Sequence, residues 1–362
     1  MIKLKDQVPA LMVFFLIVSS QVGVGVLGFQ SVINKYAGHD AWISVIVAGL
    51  AFHVTIWIMF KILHNNEPGE IVAIHKFTYG KWLGAFFSII FSVYLLLLSI
   101  TVLRTYIEII QVWVFPQIQV WALLFLLIPL FYYIISGEFR IVVGVCFFGV
   151  LYPSFLIFTL LYPLKYAHIT YILPVFDHSF TEIMQSSSLA VLSFLGVSSL
   201  LVFYPFIRES RKSQKFAHIG NLATTLLYVF ICVVTYIYYN QNELQNTIWA
   251  TLGMWKIIEM PFLARFEYFG IATLFFSILP NIVLFLWAST RTLHNVAGIS
   301  HKKIATILLV IMYVACVIPA GRIVIDQLSD IVSKFGLLFL FGYIPVLFLI
   351  NFVRRKVTNN AS

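Results

Sequence analysis

Two short runs of glycine and serine are the features of this sequence that could do chemistry. The first run, QVGVGVLGF, contains Gly23 and Gly25, and the second, SFLGVSS, contains Gly196 with Ser198 beside it. Glycine relaxes a helix, and an interruption inside an apolar segment frees N–H and C=O groups that each need a polar partner. A small zwitterion supplies both partners, because its carboxylate can face the N–H groups and its ammonium group the carbonyls. The two runs therefore predict a ligand site.

Glycines in apolar helices have a second explanation, since small residues also let two helices pack closely. That explanation stays open for each glycine taken alone, whereas the occurrence of similar runs in two places favours a ligand. Pro280 predicts a kink, and the polar residues around it are expected to face the runs. The predicted ligand-binding residues are Gly23, Val24, Gly25, Val26, Leu98, Ser99, Leu195, Gly196, Val197, Ser198, Ser277 and Asn281.

Charged residues inside apolar segments are functional candidates by default. Arg104 and Glu108 are one helical turn apart, so they share a face and predict either a gate or a structural pair that reaches water. Arg265 and Glu267 are expected to join them as gating candidates. The histidine at position 53 is interpreted as a packed, hydrogen-bonded side chain rather than a proton relay.

The sequence predicts no enzyme, no cofactor and no metal. A hydrolase needs a nucleophile, a base and an orienting group together, and no such set is present. The histidines do not have metal-ligand spacing. Residues 23–28 match the dinucleotide fingerprint GxGxxG, but they lie inside a membrane-length apolar run rather than between a strand and a helix, so a nucleotide site is excluded.

The composition places these residues in a membrane. Of 362 residues, 61% are hydrophobic and only 10% are charged, which is too few charges to cover a soluble body of this size. The net charge of +9 is spread over short gaps between apolar runs. The basic residues are therefore expected to set the membrane topology and to contact lipid headgroups, not nucleic acid.

Ten runs have roughly the 20 apolar residues that a membrane-crossing helix needs. A cytoplasmic N-terminus places sixteen Lys and Arg residues inside, Lys3 and Lys5 among them, and six outside; with Arg104 this accounts for all 23. Positive charge favours the cytoplasmic side, so both termini are predicted to be cytoplasmic. The runs are 8–34, 41–60, 82–112, 119–136, 141–164, 183–206, 217–239, 268–290, 304–319 and 335–353.

The ten runs divide into two groups of five, at about 8–164 and 183–353. Five is odd, so the second group must enter the membrane from the opposite side, as in inverted-repeat transporters. The predicted fold is a single all-α membrane domain, 1–362, with ten transmembrane helices in a 5+5 inverted repeat and with helices 1 and 6 broken. Such a fold is called LeuT-like.

The same residues carry a family resemblance. QVGVGVLGF resembles the glycine motif of amino acid–polyamine–organocation permeases, and SFLGVSSLLVFYPFI with the following RESRKSQKFAH is similar to the sixth helix and loop of nutrient germinant receptor B subunits. The loop IHKFTYGKWLG, the segment ARFEYF and the RRK tail continue the resemblance over essentially the whole chain.

The resemblance implies a nutrient-sensing subunit in the inner membrane of a spore or cell. The implied partners are a small nutrient, often an amino acid, a membrane subunit with a soluble domain, and a lipoprotein. In sodium-coupled relatives, hydroxyls of the eighth helix bind an ion at the first helix; this chain has Ser277 and Asn281 there. Proton-coupled relatives can have a lysine in the fifth helix, and 141–164 has none. Both differences favour sensing, and an amino-acid permease remains the alternative.

Overall fold

The computed structural model describes residues 6–67, 69–261, 263–318 and 321–360, and nothing in these ranges forms a sheet beyond two isolated bridges. Lys3 and Lys5 of the charge count lie outside them. The helices are α1 Met12–Gln21, α2 Phe29–Ala37, α3 Ala41–Asn65, α4 Ile71–Tyr79, α5 Lys81–Ile109, α6 Val120–Ile135, α7 Phe139–Leu151, α8 Leu156–Thr159, α9 Phe180–Ala190, α10 Leu200–Phe203, α11 Ser210–Tyr238, α12 Gln241–Gln245, α13 Ala250–Lys256, α14 Phe266–Ala297, α15 His301–Val317, α16 Arg322–Leu337 and α17 Ile344–Asn360.

Seven helical segments within these ranges are long and apolar enough to cross a membrane, and α1 and α6 are shorter apolar helices. The prediction of an all-helical, multi-pass membrane protein is therefore confirmed. The seven segments are Phe29–Asn65, Lys81–Val114, Phe139–Tyr166, Phe180–Phe206, Ser210–Tyr238, Phe266–Ala297 and Arg322–Val357.

The first glycine run separates α1 from α2. The α-helix ends at Gln21, Val22 is extended (φ −89°, ψ 103°), and Gly23 is also non-helical. A short 3₁₀ turn follows at Val24–Leu27, and α2 begins at Phe29 after Gly28. Glycine costs about 1 kcal/mol relative to alanine in a helix interior, so three glycines within six residues weaken the α-helix at this point.

The second glycine run has a different backbone. Helix α9 passes into a 3₁₀ segment at Val191–Ser199, and α-helical geometry returns at Leu200–Phe203. The chain narrows from α to 3₁₀ winding here and does not become extended. Residues 141–164, predicted as one span, are also irregular: α7 ends at Leu151, and a 3₁₀ turn with Pro153 follows.

Loops bind the helices together at one buried carboxylate. Asp40, in the turn between α2 and α3, accepts hydrogen bonds from the backbone N–H groups of Phe176 (2.9 Å), Asp177 (2.8 Å) and His178 (3.2 Å). The His178 ring lies 3.2 Å from the same carboxylate. Asp40 is 1% exposed, so these donors replace the water that the charge has lost.

Two acidic residues in the connection from α3 to α4 form ion pairs with two other helices, α11 and α14. Glu67 accepts from Tyr204 Oη at 2.5 Å and pairs with Arg211 at 3.3 Å. Glu70 pairs with Arg291 at 3.2 Å. The short connection therefore bridges the start of α11 and the end of α14.

Candidate functional site

The carbonyl groups freed at the end of α1 have side-chain donors from two other helices. Asn281, in the middle of α14, donates from Nδ2 to the carbonyls of Ser19 and Val22, the latter at 3.0 Å. Tyr228 of α11 donates its hydroxyl to the carbonyl of Gln21 at 2.8 Å. In an apolar interior an unpaired carbonyl costs free energy, so these two side chains stabilise the interrupted end of the helix.

The N–H groups just after the interruption precede the first hydrogen bond of the next turn. The first hydrogen bond of the 3₁₀ turn runs from Val26 N–H to Gly23 O at 3.3 Å. The N–H groups of Val24 and Gly25 lie ahead of it, where the start of a helix leaves its donors without an intrahelical acceptor. Each such donor needs a hydrogen-bond acceptor.

The glycines themselves differ in the space around them. A Cβ added at Gly196 would lie 1.9 Å from the carbonyl oxygen of Ser20, so Gly196 lets the two runs approach closely. A Cβ at Gly23 would lie 3.1 Å from the amide of Asn281, in a tight contact. At Gly25 the same atom would have one neighbour within 4 Å, Ser193 Oγ at 3.4 Å. Space therefore remains beside Gly25.

Neighbours of Gly196 complete the wall formed by the second run. The hydroxyl of Ser198 donates to the carbonyl of Leu195 at 3.1 Å, and that of Ser199 to the carbonyl of Gly196 at 2.9 Å. Leu195 and Val197 are fully buried. These hydroxyls satisfy carbonyls of their own turn, as is usual for serine in apolar helices.

Helices α5 and α14 meet beside the interruption. Ser99 donates its hydroxyl to the carbonyl of Ile282 at 2.9 Å, next to Asn281, and Leu98 is buried one position away. Two other predicted ligand residues, Ser277 and Val26, have different partners. Ser277 donates to the carbonyl of Gly149 at 3.2 Å, and the carbonyl of Val26 accepts from the Thr251 hydroxyl at 2.9 Å. Both line an apolar cavity next to α7 and α11.

The four gating candidates form two separate groups. Glu108, near the end of α5, bonds to Arg322 at 3.1 Å, and the Arg322 guanidinium lies 4.9 Å from the centre of the Trp249 ring. Arg322 is the first residue of α16. Arg265 instead pairs with Glu267 at 2.7 Å. Arg104 is buried on α5 with 4% exposure.

Residues Tyr228, Asn221 and Arg322 belong to these contacts but were missed from the sequence. Asn221 accepts from Gln21 Nε2 at 2.9 Å and donates to the carbonyl of Gly49 at 3.0 Å. Asn221 and Tyr228 are seven residues apart on α11, so two polar side chains share one face of an apolar helix. That spacing is a signal that could have found them. Arg322 has none, because it sits among ordinary loop charges.

Two histidines on the membrane-length helices α3 and α11 are partners of each other. His53 Nδ1 lies 2.9 Å from Nδ1 of His218 on α11, so the expectation of a hydrogen-bonded His53 agrees with this contact, through a partner that the sequence did not indicate. Of the residues that the structure describes, no three His, Cys, Asp or Glu side chains are grouped as metal ligands.

A third histidine lies on α4, outside the membrane-length segments. Ser88 donates to the carbonyl of Gly84 at 2.7 Å, so its oxygen accepts from His75 Nδ1–H at 2.9 Å. Nε2 of His75 then accepts from the Tyr343 hydroxyl at 2.9 Å. Burial lowers the pKa of His75 to about 3, because the charged ring would lose its hydration.

Glu67, in the connection between α3 and α4, has surroundings that favour its charged form, whereas those of His75 disfavour the charged ring. Burial by itself would raise the pKa of Glu67. Hydrogen bonds from Tyr204 and Ser210, together with the charge of Arg211, outweigh burial and lower that pKa. Glu67 is therefore ionised at neutral pH and holds its basic partner.

Comparison with known proteins gives consistent matches. The sequence model of the family described as "Spore germination protein" matches residues 7–322. Spore germination protein GerQB of Bacillus cereus is 41% identical over 356 residues, which cover 98% of this chain and 99% of that protein. Spore germination protein A2 of Bacillus subtilis (strain 168) is 22% identical over 356 residues, with 95% of each chain covered.

A solved structure has the same fold. The crystal structure of MhsT in complex with L-phenylalanine superposes with a TM-score of 0.65, covering 95% of this chain and 98% of MhsT at 14% sequence identity. At that identity the likeness concerns the fold alone.

Proposed function

Since this chain belongs to the family of spore germination proteins, we propose that it is the nutrient-sensing membrane subunit of a germinant receptor. The ligand is a small nutrient, an amino acid in the first instance. It binds between the two irregular runs, against the backbone of Gly23, Val24 and Gly25 on one side. On the other side it meets Gly196, Val197 and Ser198, with Leu98, Ser99, Leu195 and Asn281 around it.

The observation that carries this proposal is the space beside Gly25. A side-chain atom at this position would have one neighbour within 4 Å, and the adjacent N–H groups of Val24 and Gly25 precede the first hydrogen bond of their turn. A carboxylate is the complementary group for such donors. The MhsT structure, a complex with L-phenylalanine, supports an amino acid as the first class to test.

The membrane arrangement belongs to the same proposal. Ten helical passages in a 5+5 inverted repeat form one membrane domain in the inner membrane, with both termini cytoplasmic. The excess of Lys and Arg in alternate connections supports this orientation. The partners are a membrane subunit with a soluble domain and a lipoprotein, which the basic connections would contact.

Ligand binding can shift the protein only by its difference in affinity between two states. The ligand would draw the two runs together, and the helices that carry them would tilt. Arg104, Glu108, Arg265 and Glu267 remain gating candidates in this mechanism. The Glu67 and Glu70 contacts to α11 and α14 give the tilt a route to the surface where partners bind.

Ion coupling is not required in this mechanism. Asn281 donates to the carbonyls of Ser19 and Val22, so a neutral amide occupies the place where those oxygens would otherwise attract a cation. This contact supports sensing over sodium-driven transport.

The proposal is tested by Gly25→Trp in a sporulating host that depends on this chain. We expect loss of the germination response to amino acids at normal protein level, because the indole fills the space beside Gly25. The matched control is Gly144→Trp on α7, where an added Cβ has no neighbour within 4 Å. An unchanged response in the Gly25 variant would contradict the site.

The fold likeness to MhsT favours one alternative, an autonomous amino-acid permease. Purified chain in sealed vesicles separates the two functions. Saturable, concentrative uptake of an amino acid would identify a permease, whereas binding without uptake would support the receptor.

A further inference from the structure

An apolar cavity of about 210 Å³ lies beside α1. Its walls come from α1 and the turn after it, from the end of α7 and the irregular segment that follows, and from α11, α13 and α14. None of the residues in the proposed nutrient site lines it, although Val26 and Ser277, which the sequence predicted as ligand residues, do. Its volume exceeds the ~150 Å³ of engineered apolar cavities that bind benzene, so it is large enough for a hydrocarbon guest.

Each polar side chain in the wall already donates its hydrogen bond to another group of the protein. A polar guest would therefore lose its bonds to water and find acceptors only, whereas an apolar guest loses nothing. The donations are Ser19 to the carbonyl of Cys146 (3.0 Å), Ser154 to Leu151 (2.7 Å), Thr224 to Gly220 (3.1 Å), Thr251 to Val26 (2.9 Å), Ser277 to Gly149 (3.2 Å), and Trp255 Nε1 to the hydroxyl of Thr159 (3.1 Å).

The cavity is continuous with the surface that the chain presents to hydrocarbon. Ile157 belongs to its wall and is 37% exposed. Next to it Phe158 is exposed, and Leu222 and Leu226 are exposed on α11 beside the lining residue Ala223. Both flanking segments, Phe139–Tyr166 and Ser210–Tyr238, are membrane-length helices. The abundant apolar molecule at such a surface is a lipid acyl chain.

We propose that this cavity binds one acyl chain of a membrane phospholipid. The chain enters between the segment after α7 and α11 and reaches Val22 and Val26, which flank the interruption in the first glycine run. It thereby packs against the interrupted backbone. This site does not depend on the proposed nutrient function, because neither its lining nor its occupant involves the space beside Gly25.

Trp255 is a reporter for the occupant, since it lines the cavity and is 2% exposed. The full chain is placed in nanodiscs of phosphatidylcholine, either unmodified or with a dibromostearoyl chain, whose bromine quenches indole fluorescence on contact. The contribution of Trp255 is the difference between the parent and Trp255→Phe. We expect most of this contribution to be lost in the brominated lipid.

Two cavity-filling variants test the location. Ala223→Phe fills the cavity from α11, and Val150→Phe fills it from the facing segment if the first variant does not fold. Either should restore the Trp255 emission in brominated discs. Leu222→Phe, at the neighbouring exposed position outside the lining, should leave the quenching unchanged.

Three results would overturn the proposal. They are Trp255 emission that is equal in the two lipids, quenching that persists in the filled variants, or quenching of Trp255 by aqueous iodide, which would mean that the cavity holds water.

Discussion

Asn281 provides the sharpest test of how the interruption in α1 is held. Asn281→Ala removes the donor to the carbonyls of Ser19 and Val22. Leaving a buried carbonyl unpaired costs roughly 1–3 kcal/mol, although hydrogen bonds inside membranes average nearer ~0.6 kcal/mol. For two carbonyls we expect a loss of about 2 kcal/mol, which for a chain of 362 residues corresponds to a fall in Tm of roughly 3 °C.

The assay is thermal unfolding of the purified chain, with and without a nutrient that the parent binds. The matched control is Asn351→Ala on α17. Asn351 is also buried, donates to Thr78 Oγ1 at 2.9 Å and accepts from Asn66 Nδ2 at 3.0 Å, but it lies away from the glycine runs. Both variants should lose stability, whereas the ligand-dependent rise in Tm should disappear only in the Asn281 variant.

Asn281→Asp gives a prediction of opposite character. The carboxylate brings acceptor oxygens next to two carbonyl oxygens, and such an oxygen cluster favours a hard cation. We expect the Tm of this variant to rise with Na⁺ relative to choline at equal ionic strength, while the parent shows no such difference. A parent-like Tm in Asn281→Ala, or no effect of Na⁺ on Asn281→Asp, would refute the reasoning.

Three other predictions follow from single contacts. Gly196→Ala should lower the Tm by more than Gly25→Ala, because its methyl group would lie 1.9 Å from a backbone oxygen rather than 3.4 Å from a serine hydroxyl. The pKa of His75 is lowered to about 3 in the folded chain, so the unfolded chain binds the proton first as pH falls below 6.5. The free energy of unfolding should therefore fall by up to ~1.4 kcal/mol per pH unit. Between pH 7 and pH 5, the Tm of His75→Gln should change less than that of the parent. Arg322→Gln breaks the bond to Glu108. When it is added to Gly25→Cys, we expect the cysteine to react faster with a water-soluble, thiol-reactive reagent. An unchanged rate would mean that Arg322 is not part of the gate.

Local sequence was enough to predict the class of fold. A chain with 61% hydrophobic and 10% charged residues cannot surround itself with a polar shell, and helices are the structures that satisfy the backbone within such segments. The two glycine runs could also be located in the sequence, because glycine lowers helix propensity. The different winding of the two runs, extended at Val22 and 3₁₀ at Val191–Ser199, was not.

Partners of the charged and polar residues could not be predicted, because they lie far apart in the chain. The one-turn spacing of Arg104 and Glu108 predicts a shared helix face, but it does not predict that Glu108 also bonds to Arg322, which is 214 positions away. The sequence predicts one continuous span over 141–164, whereas the backbone is irregular after Leu151. Pro153 was the local signal for this change, because proline disrupts a helix interior.

The sequence by itself determined an all-helical chain with membrane-length apolar helices, and it marked two glycine runs where helix propensity is low, since composition and local backbone preference act residue by residue. Tertiary structure alone decided what each glycine does. Gly196 lies against the backbone of Ser20, while Gly25 retains space, and the freed carbonyls of α1 bond to Asn281 and Tyr228. These outcomes depend on distances between segments about 200 residues apart, which only the packing of the helices fixes.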